Sequence, residues 1–316
     1  LGRRVVGSDI NALAHFVSLT RTTPLSDADA DDIREWSHAC ADAFGGREPD
    51  VPELPRIVNL PRAVEIFMAG SLALSDTLRF PRQRAFARCA LLRLGQWVLD
   101  CRDFVRPHRS RLARRLPELV EEMLAGLDEL VADCAKAGTP KHAITGKRVL
   151  LHRSAVGLHE DVRTQAFGDR PRLVFTSPPY PSVRVLYHRW QYRGRRETPA
   201  PYWIARVPDG YYESYYTGGS RTPSGRKRYF AMIEAAFTSV RHMVHPEAWV
   251  IQLVGFSDME TQLPLYLAAM AAAGFYESNP TGERMDRRVP NRKWYAKLQA
   301  SLDASTEILL FHRVSR

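Results

Sequence analysis

Residues 172–180 read RLVFTSPPY. Leu173, Val174 and Phe175 favour a strand, and two consecutive prolines cut it off, because proline donates no ladder hydrogen bond and fixes its own φ. What remains at the tip is the hydroxyl of Ser177 and the aromatic ring of Tyr180. Ligands in α/β sheets bind at the carboxyl ends of strands, so a strand stopped in this way marks a candidate site.

Around that strand the pattern falls into three zones. RVVGSD (4–9) reads as a short buried strand ending in an acid, and INALAHFVSLTRT has the apolar spacing of a following helix. From about 26 to 145 the sequence is almost wholly helical, opening with Ser26 as a cap and acids in the first turn. From 146 to 316, KRVLLHRS, RLVFTS, AWVIQLVGF, GFYESN and TEILLFHRV read as strands alternating with helices. The expected fold is α/β: a mostly parallel sheet with an antiparallel last strand, interrupted by a large helical insertion. The expected domains are 1–25 and 146–316, two parts of one sheet domain, with 26–145 as the helical subdomain.

The chain has 316 residues, 45% of them hydrophobic, which is enough for a packed core. Its formal charge of +10 favours polyanionic partners. Cys40, Cys89, Cys101 and Cys134 lack the close paired spacing of a zinc site or a disulfide framework, and read as reduced core residues on helices. No window approaches the roughly 18 apolar residues of a membrane span. Leu1-Gly2-Arg3-Arg4 precedes no signal-peptide core, so a cytoplasmic protein without membrane partners is expected.

The TSPPY tip resembles the catalytic motif of the S-adenosylmethionine-dependent DNA amino-methyltransferases, which methylate N4 of cytosine or N6 of adenine. LGRRVVGSDINALA is similar to the family segment that follows the glycine-rich cofactor loop, and VRHMVHPEAWVIQLVGF to a later helix-turn-strand. The resemblance implies a Rossmann-like sheet. It also implies that Ser177 and the Pro178 carbonyl accept hydrogen bonds from the target amine, that Pro179 stiffens the turn, and that Tyr180 stacks on a base flipped out of double-stranded DNA. For the cofactor it implies Asp9 on the ribose hydroxyls and Ile10 beside the adenine, with Ser154, Ala155 and Ser177 close by. The serine form of the motif points to cytosine N4 before adenine N6. RNA methylation and a non-catalytic DNA-binding subunit are the alternatives.

The chemistry explains those residue types. An exocyclic amine is a poor nucleophile because its lone pair is delocalised into the ring, so fixed acceptors must hold it aligned for in-line attack. Methylation of a ring carbon would instead need a cysteine nucleophile, usually after a proline, and no cysteine here follows one.

The stretch 181–228 carries ten basic residues and three acids among aromatics. Arg184, Tyr187, Arg189, Trp190, Arg193, Arg195 and Arg196 are the candidates for phosphate contact and base stacking. The basic runs RFPRQRAFAR and RPHRSRLARR extend the expected DNA contact to the helical zone.

Two features depart from the family pattern. No aromatic-x-Gly-x-Gly loop occurs anywhere in the sequence, and Arg153-Ser154-Ala155 stands where Gly-Asp-Ala is common. A sheet lacking its first strand would leave backbone unpaired, so the expectation is that an upstream segment or a partner chain supplies that strand and loop.

Overall fold

A computed structural model describes residues 2–46, 56–100, 108–181, 189–192, 196–210, 218–220, 222–289 and 305–315. The chain forms two compact units. The first holds Leu1–Gly7, Asn11–Leu151 and Tyr187–Asp209; the second holds Ser8–Ile10, His152–Leu186 and Gly210–Arg316.

The first unit is helical: α1 (Ala12–Arg21), α2 (Asp27–Phe44), α3 (Arg62–Asp76), α4 (Pro81–Leu99), α5 (Arg109–Lys136) and the short α7 (Ala200–Ala205). α2 starts at a capping box in which the Asp29 amide donates to Ser26 Oγ and the Ser26 amide donates to Asp29 Oδ2. Burial opposes the charge of Asp29, but hydrogen bonds from Arg82 and Ser26 outweigh it and hold the carboxyl below its usual range. Ile33, Trp36, Cys40, Phe67, Leu91 and Leu116 form the core between the helices. Cys40 and Cys89 are buried free thiols, Cys134 is also buried and Cys101 lies outside the described residues; burial pushes the Cys40 thiol up to about 12.

This unit is larger than the expected 26–145 block. It takes in α1, which packs on α4 and α7, and the segment around the hairpin of β4 (Trp190–Tyr192) and β5 (Arg196–Thr198). The Asn11 side chain explains part of this. It caps α1 by accepting from the Leu13 and Ala14 amides, and its amide donates to the Tyr202 hydroxyl at 3.1 Å.

The second unit contains a five-stranded sheet built from β3 (Leu173–Thr176), β6 (Trp249–Phe256), β7 (Phe275–Glu277), β8 (Met285–Val289) and β9 (Ser305–Val314). The order is β3-β6-β9-β7, with β8 also on β9. β3 is parallel to β6, while β9 runs antiparallel to β6, β7 and β8. Four strands therefore point one way and the last opposes them, in a mixed α/β sheet.

Alternation along these strands gives the sheet two different faces. Val250, Val254, Ile308, Leu310 and Val314 pack on one side with Tyr229, Ile233 and Phe237 of α8 (Pro223–Met243) and Tyr266 and Met270 of α9 (Met259–Ala272). The opposite face is also apolar but open: Leu173 is 58% exposed, Phe175 74% and Tyr276 49%. Among the described residues β3 pairs on one side only.

β1 (Val5–Asp9) and β2 (Arg148–His152) form a separate two-stranded sheet. The short α6 (Val162–Gln165) lies in the connection from β2 to β3.

Candidate functional site

The corner after β3 is held from three neighbouring elements. The Ser177 hydroxyl donates to the Leu253 carbonyl of β6 at 3.0 Å. The Tyr229 hydroxyl, from α8, donates to the Pro179 carbonyl at 2.8 Å. The Tyr180 phenol donates to Glu307 Oε1 of β9 at 2.9 Å. Pro178 is buried, whereas Ser177 and Pro179 beside it are exposed. The prolines thus seat the turn in the sheet end and leave the serine at the surface.

These bonds sort the corner's acceptors. Tyr229 occupies the Pro179 carbonyl, and among the described residues the Pro178 carbonyl accepts no hydrogen bond. Ser177 has committed its proton to Leu253, so its lone pairs remain able to accept from an incoming N–H. Burial pushes the Tyr229 phenol well above its ordinary value, so it stays a neutral donor.

Two glycines let the ring lie where it does. A Cβ on Gly255 would stand 2.6 Å from Tyr180 Cε2, so the ring rests against the β6 backbone. A Cβ on Gly218 would come within 2.9 Å of both the Tyr180 carbonyl and the Tyr229 ring.

The second cluster forms at the ends of β1 and β2. The Ser8 hydroxyl donates to the Arg153 carbonyl at 2.6 Å, and His152 Nε2 lies 3.0 Å from the Ile10 carbonyl. These contacts bring Asp9 and Ile10 next to Ser154 and Ala155. Asp9 and Ile10 are each half-buried. Ser154 Oγ accepts from the Val156 amide and the Ala155 carbonyl from the Leu158 amide, so both residues shape the turn after β2. Asn11, not Asp9, caps the following helix. His152 acts as a tie between the strand ends, and His159 stacks on His242 with centroids 4.8 Å apart.

The residues present suit one half of S-adenosylmethionine. A carboxylate at a strand end with an apolar neighbour fits the ribose and adenine. No glycine turn in the sequence cradles a methionine end, and that half does not fit this chain alone.

The basic segment needs correction. Trp190 is not a stacking surface: its indole is 4% exposed and packs over Gly95 of α4, where a Cβ would clash with it. The Arg189 guanidinium is paired with Asp209 and its side chain is 20% exposed, so its charge is already answered within the unit. Arg196 is exposed on β5 and remains available. Arg184, Tyr187, Arg193 and Arg195 lie outside the described residues.

Sequence reasoning missed Glu307, Tyr229, Leu253 and Gly255. Glu307 had a signal, as the one acid in the apolar run EILLF. Tyr229 had none, because it looks like any apolar position of an amphipathic helix. Among the described residues no group of acids, histidines and cysteines could hold a metal ion, and no helix is long and apolar enough to cross a membrane.

Comparison with known protein families, with characterised proteins and with solved structures finds no match.

Proposed function

We propose that this chain carries the catalytic corner of an S-adenosylmethionine-dependent methyltransferase acting on the exocyclic amine of a flipped DNA base, N4 of cytosine before N6 of adenine. The observation that carries the reading is the sorting of acceptors: Ser177 is anchored as a donor to Leu253 while Tyr229 fills the neighbouring Pro179 carbonyl. An amine entering this corner meets Ser177 Oγ and the Pro178 carbonyl. Two acceptors on two N–H bonds fix the amine's orientation and turn its lone pair away from the protein, as in-line attack requires. Pro178 is buried, which favours a base swung out of its stack over one still paired in a duplex.

The cofactor would supply the methyl group as an electrophile, with Asp9 and Ile10 holding its adenosine end. Among the described residues β3 has one unpaired edge and an exposed apolar face beside it, which supports the idea that a strand and loop outside the described residues complete the site. Tyr180 gives the base a stacking surface.

The missing glycine loop favours a second reading, a DNA-binding subunit that has kept the fold without the chemistry. Transfer of tritiated methyl groups to DNA, followed by analysis of the modified base, decides between them. Labelled N4-methylcytosine supports the first reading, and N6-methyladenine keeps the mechanism but changes the base. Binding without transfer supports the second, and label in RNA alone would overturn both.

A further inference from the structure

Glu307 is a buried carboxylate, 7% exposed, at the start of β9, and it pairs in register with Gly255 of β6. Its Oε1 receives the Tyr180 phenol at 2.9 Å. Gly255 meanwhile lies directly under the ring, where a Cβ would fall 2.6 Å from Cε2, 2.7 Å from Cδ2 and 3.2 Å from Cζ. Two adjacent positions on paired strands therefore hold the same side chain, one by its hydroxyl and one by its ring face. Burying a carboxylate is costly unless it is hydrogen-bonded, and an apolar residue would fill an interior strand position more cheaply.

We propose that Glu307 is a positioning residue that, with Gly255, turns Tyr180 into a fixed, one-sided stacking platform for the substrate base. The inference rests on the reading of the corner as a base-binding site. Tyr180 is half-buried, and Gly255 backs one face of its ring, so a stacked base would be received on the other. A ring free to rotate about its side-chain bonds would have to be ordered at each binding event. Tied at the hydroxyl and backed by glycine, it is ordered beforehand, and the base arrives at a set height above Ser177.

The proposal is tested in the intact protein with Glu307→Ala, Glu307→Gln, Tyr180→Phe and the Ala/Phe double variant. With DNA as substrate, Glu307→Ala is expected to lower kcat about tenfold or more, the size of effect that misplacing a reacting group produces, with KM little changed. Glu307→Gln, whose amide oxygen accepts the same bond, restores most of the loss. In the Tyr180→Phe background Glu307→Ala adds little, because the two act through one bond. A second measurement does not depend on turnover: fluorine NMR of protein labelled with 3-fluorotyrosine, with Tyr180 assigned by its loss in Tyr180→Phe. The Tyr180 resonance should shift and narrow in Glu307→Ala and return in Glu307→Gln. An unmoved resonance, or independent losses in the double variant, overturns the positioning role. A moved resonance in a protein that transfers no methyl group to any nucleic acid overturns the methyltransferase reading and leaves the Glu307–Tyr180 coupling standing.

Discussion

The hydroxyl of Ser177 donates to the Leu253 carbonyl at 3.0 Å, a bond that crosses from the end of β3 to its parallel neighbour β6. Its direction decides what can replace the serine. Under the proposed function a substitute must donate to Leu253 and still accept from the amine. Asparagine has both groups, whereas an aspartate would set a carboxylate against a carbonyl with no proton between them. Ser177→Asn is therefore expected to keep more activity at neutral pH than Ser177→Asp, and Ser177→Ala to lose about a hundredfold in kcat, by analogy with the loss of one fixed polar contact to a reacting group. Methyl-transfer kinetics on DNA check the order, and equal rates for Asn and Asp would remove the proposed role of Leu253.

Trp190 and Arg196 sit in one hairpin and should behave in opposite ways. Trp190 is buried against α4, so Trp190→Ala is expected to cost about 3–5 kcal/mol of stability in the helical unit. Arg196 is exposed, so Arg196→Glu should leave the melting temperature unchanged and weaken DNA binding, reducing the slope of affinity against salt by about one. Thermal unfolding and binding titrations at several salt concentrations separate the two.

That contrast also shows what the sequence could and could not reveal. Strand signals at VVGSD, RVLLH, LVFT, WVIQLVGF, FYE and EILLF were legible because β-branched and aromatic residues cluster between breakers. β8, reading MDRRV, was not legible, because its charged residues carry no apolar alternation and its pairing with β9 supplies the order. The corner at 177–180 was legible because two prolines in a row leave few conformations open. Its supports were not: Leu253 contributes a carbonyl that every residue possesses, and Gly255 matters only because a ring from far along the chain lies on it. Trp190 misled for the same reason. Composition showed an aromatic among arginines, but burial depends on α4, about a hundred residues earlier.

The two faces of β3 give neighbouring residues opposite tolerances. Phe175 lies on the open face, 74% exposed, and Phe175→Asp should change the chain's own stability by less than about 0.5 kcal/mol while reducing self-association. Val174 packs against the core under α8 and α9, so Val174→Asp buries a charge and should cost more than about 2 kcal/mol. Denaturant melts and light scattering read both effects. A destabilised Phe175→Asp would mean that the face is covered in solution by some other part of the protein.

His312 should set the acid limit of the sheet unit. It lies on β9 opposite Val250 and Glu277, is 1% exposed, and among the described residues neither ring nitrogen has a hydrogen-bond partner. Burial lowers its pKa to about 4; Glu277 pulls it upward and Arg284, which is paired with Glu277, pushes it down. In the unfolded chain the ring titrates near its ordinary value of about 6.5. Above that value both states are neutral and the full stability is present. As pH falls from about 6.5 toward 4, the unfolded state binds a proton that the folded state refuses, so stability declines, by up to about 3 kcal/mol, and levels off once both states are charged. His312→Leu removes the titrating group and two unsatisfied nitrogens together. Denaturant melts of this variant should lose the fall across that window and gain stability at pH 5, whereas an unchanged slope would assign the acid sensitivity to other groups.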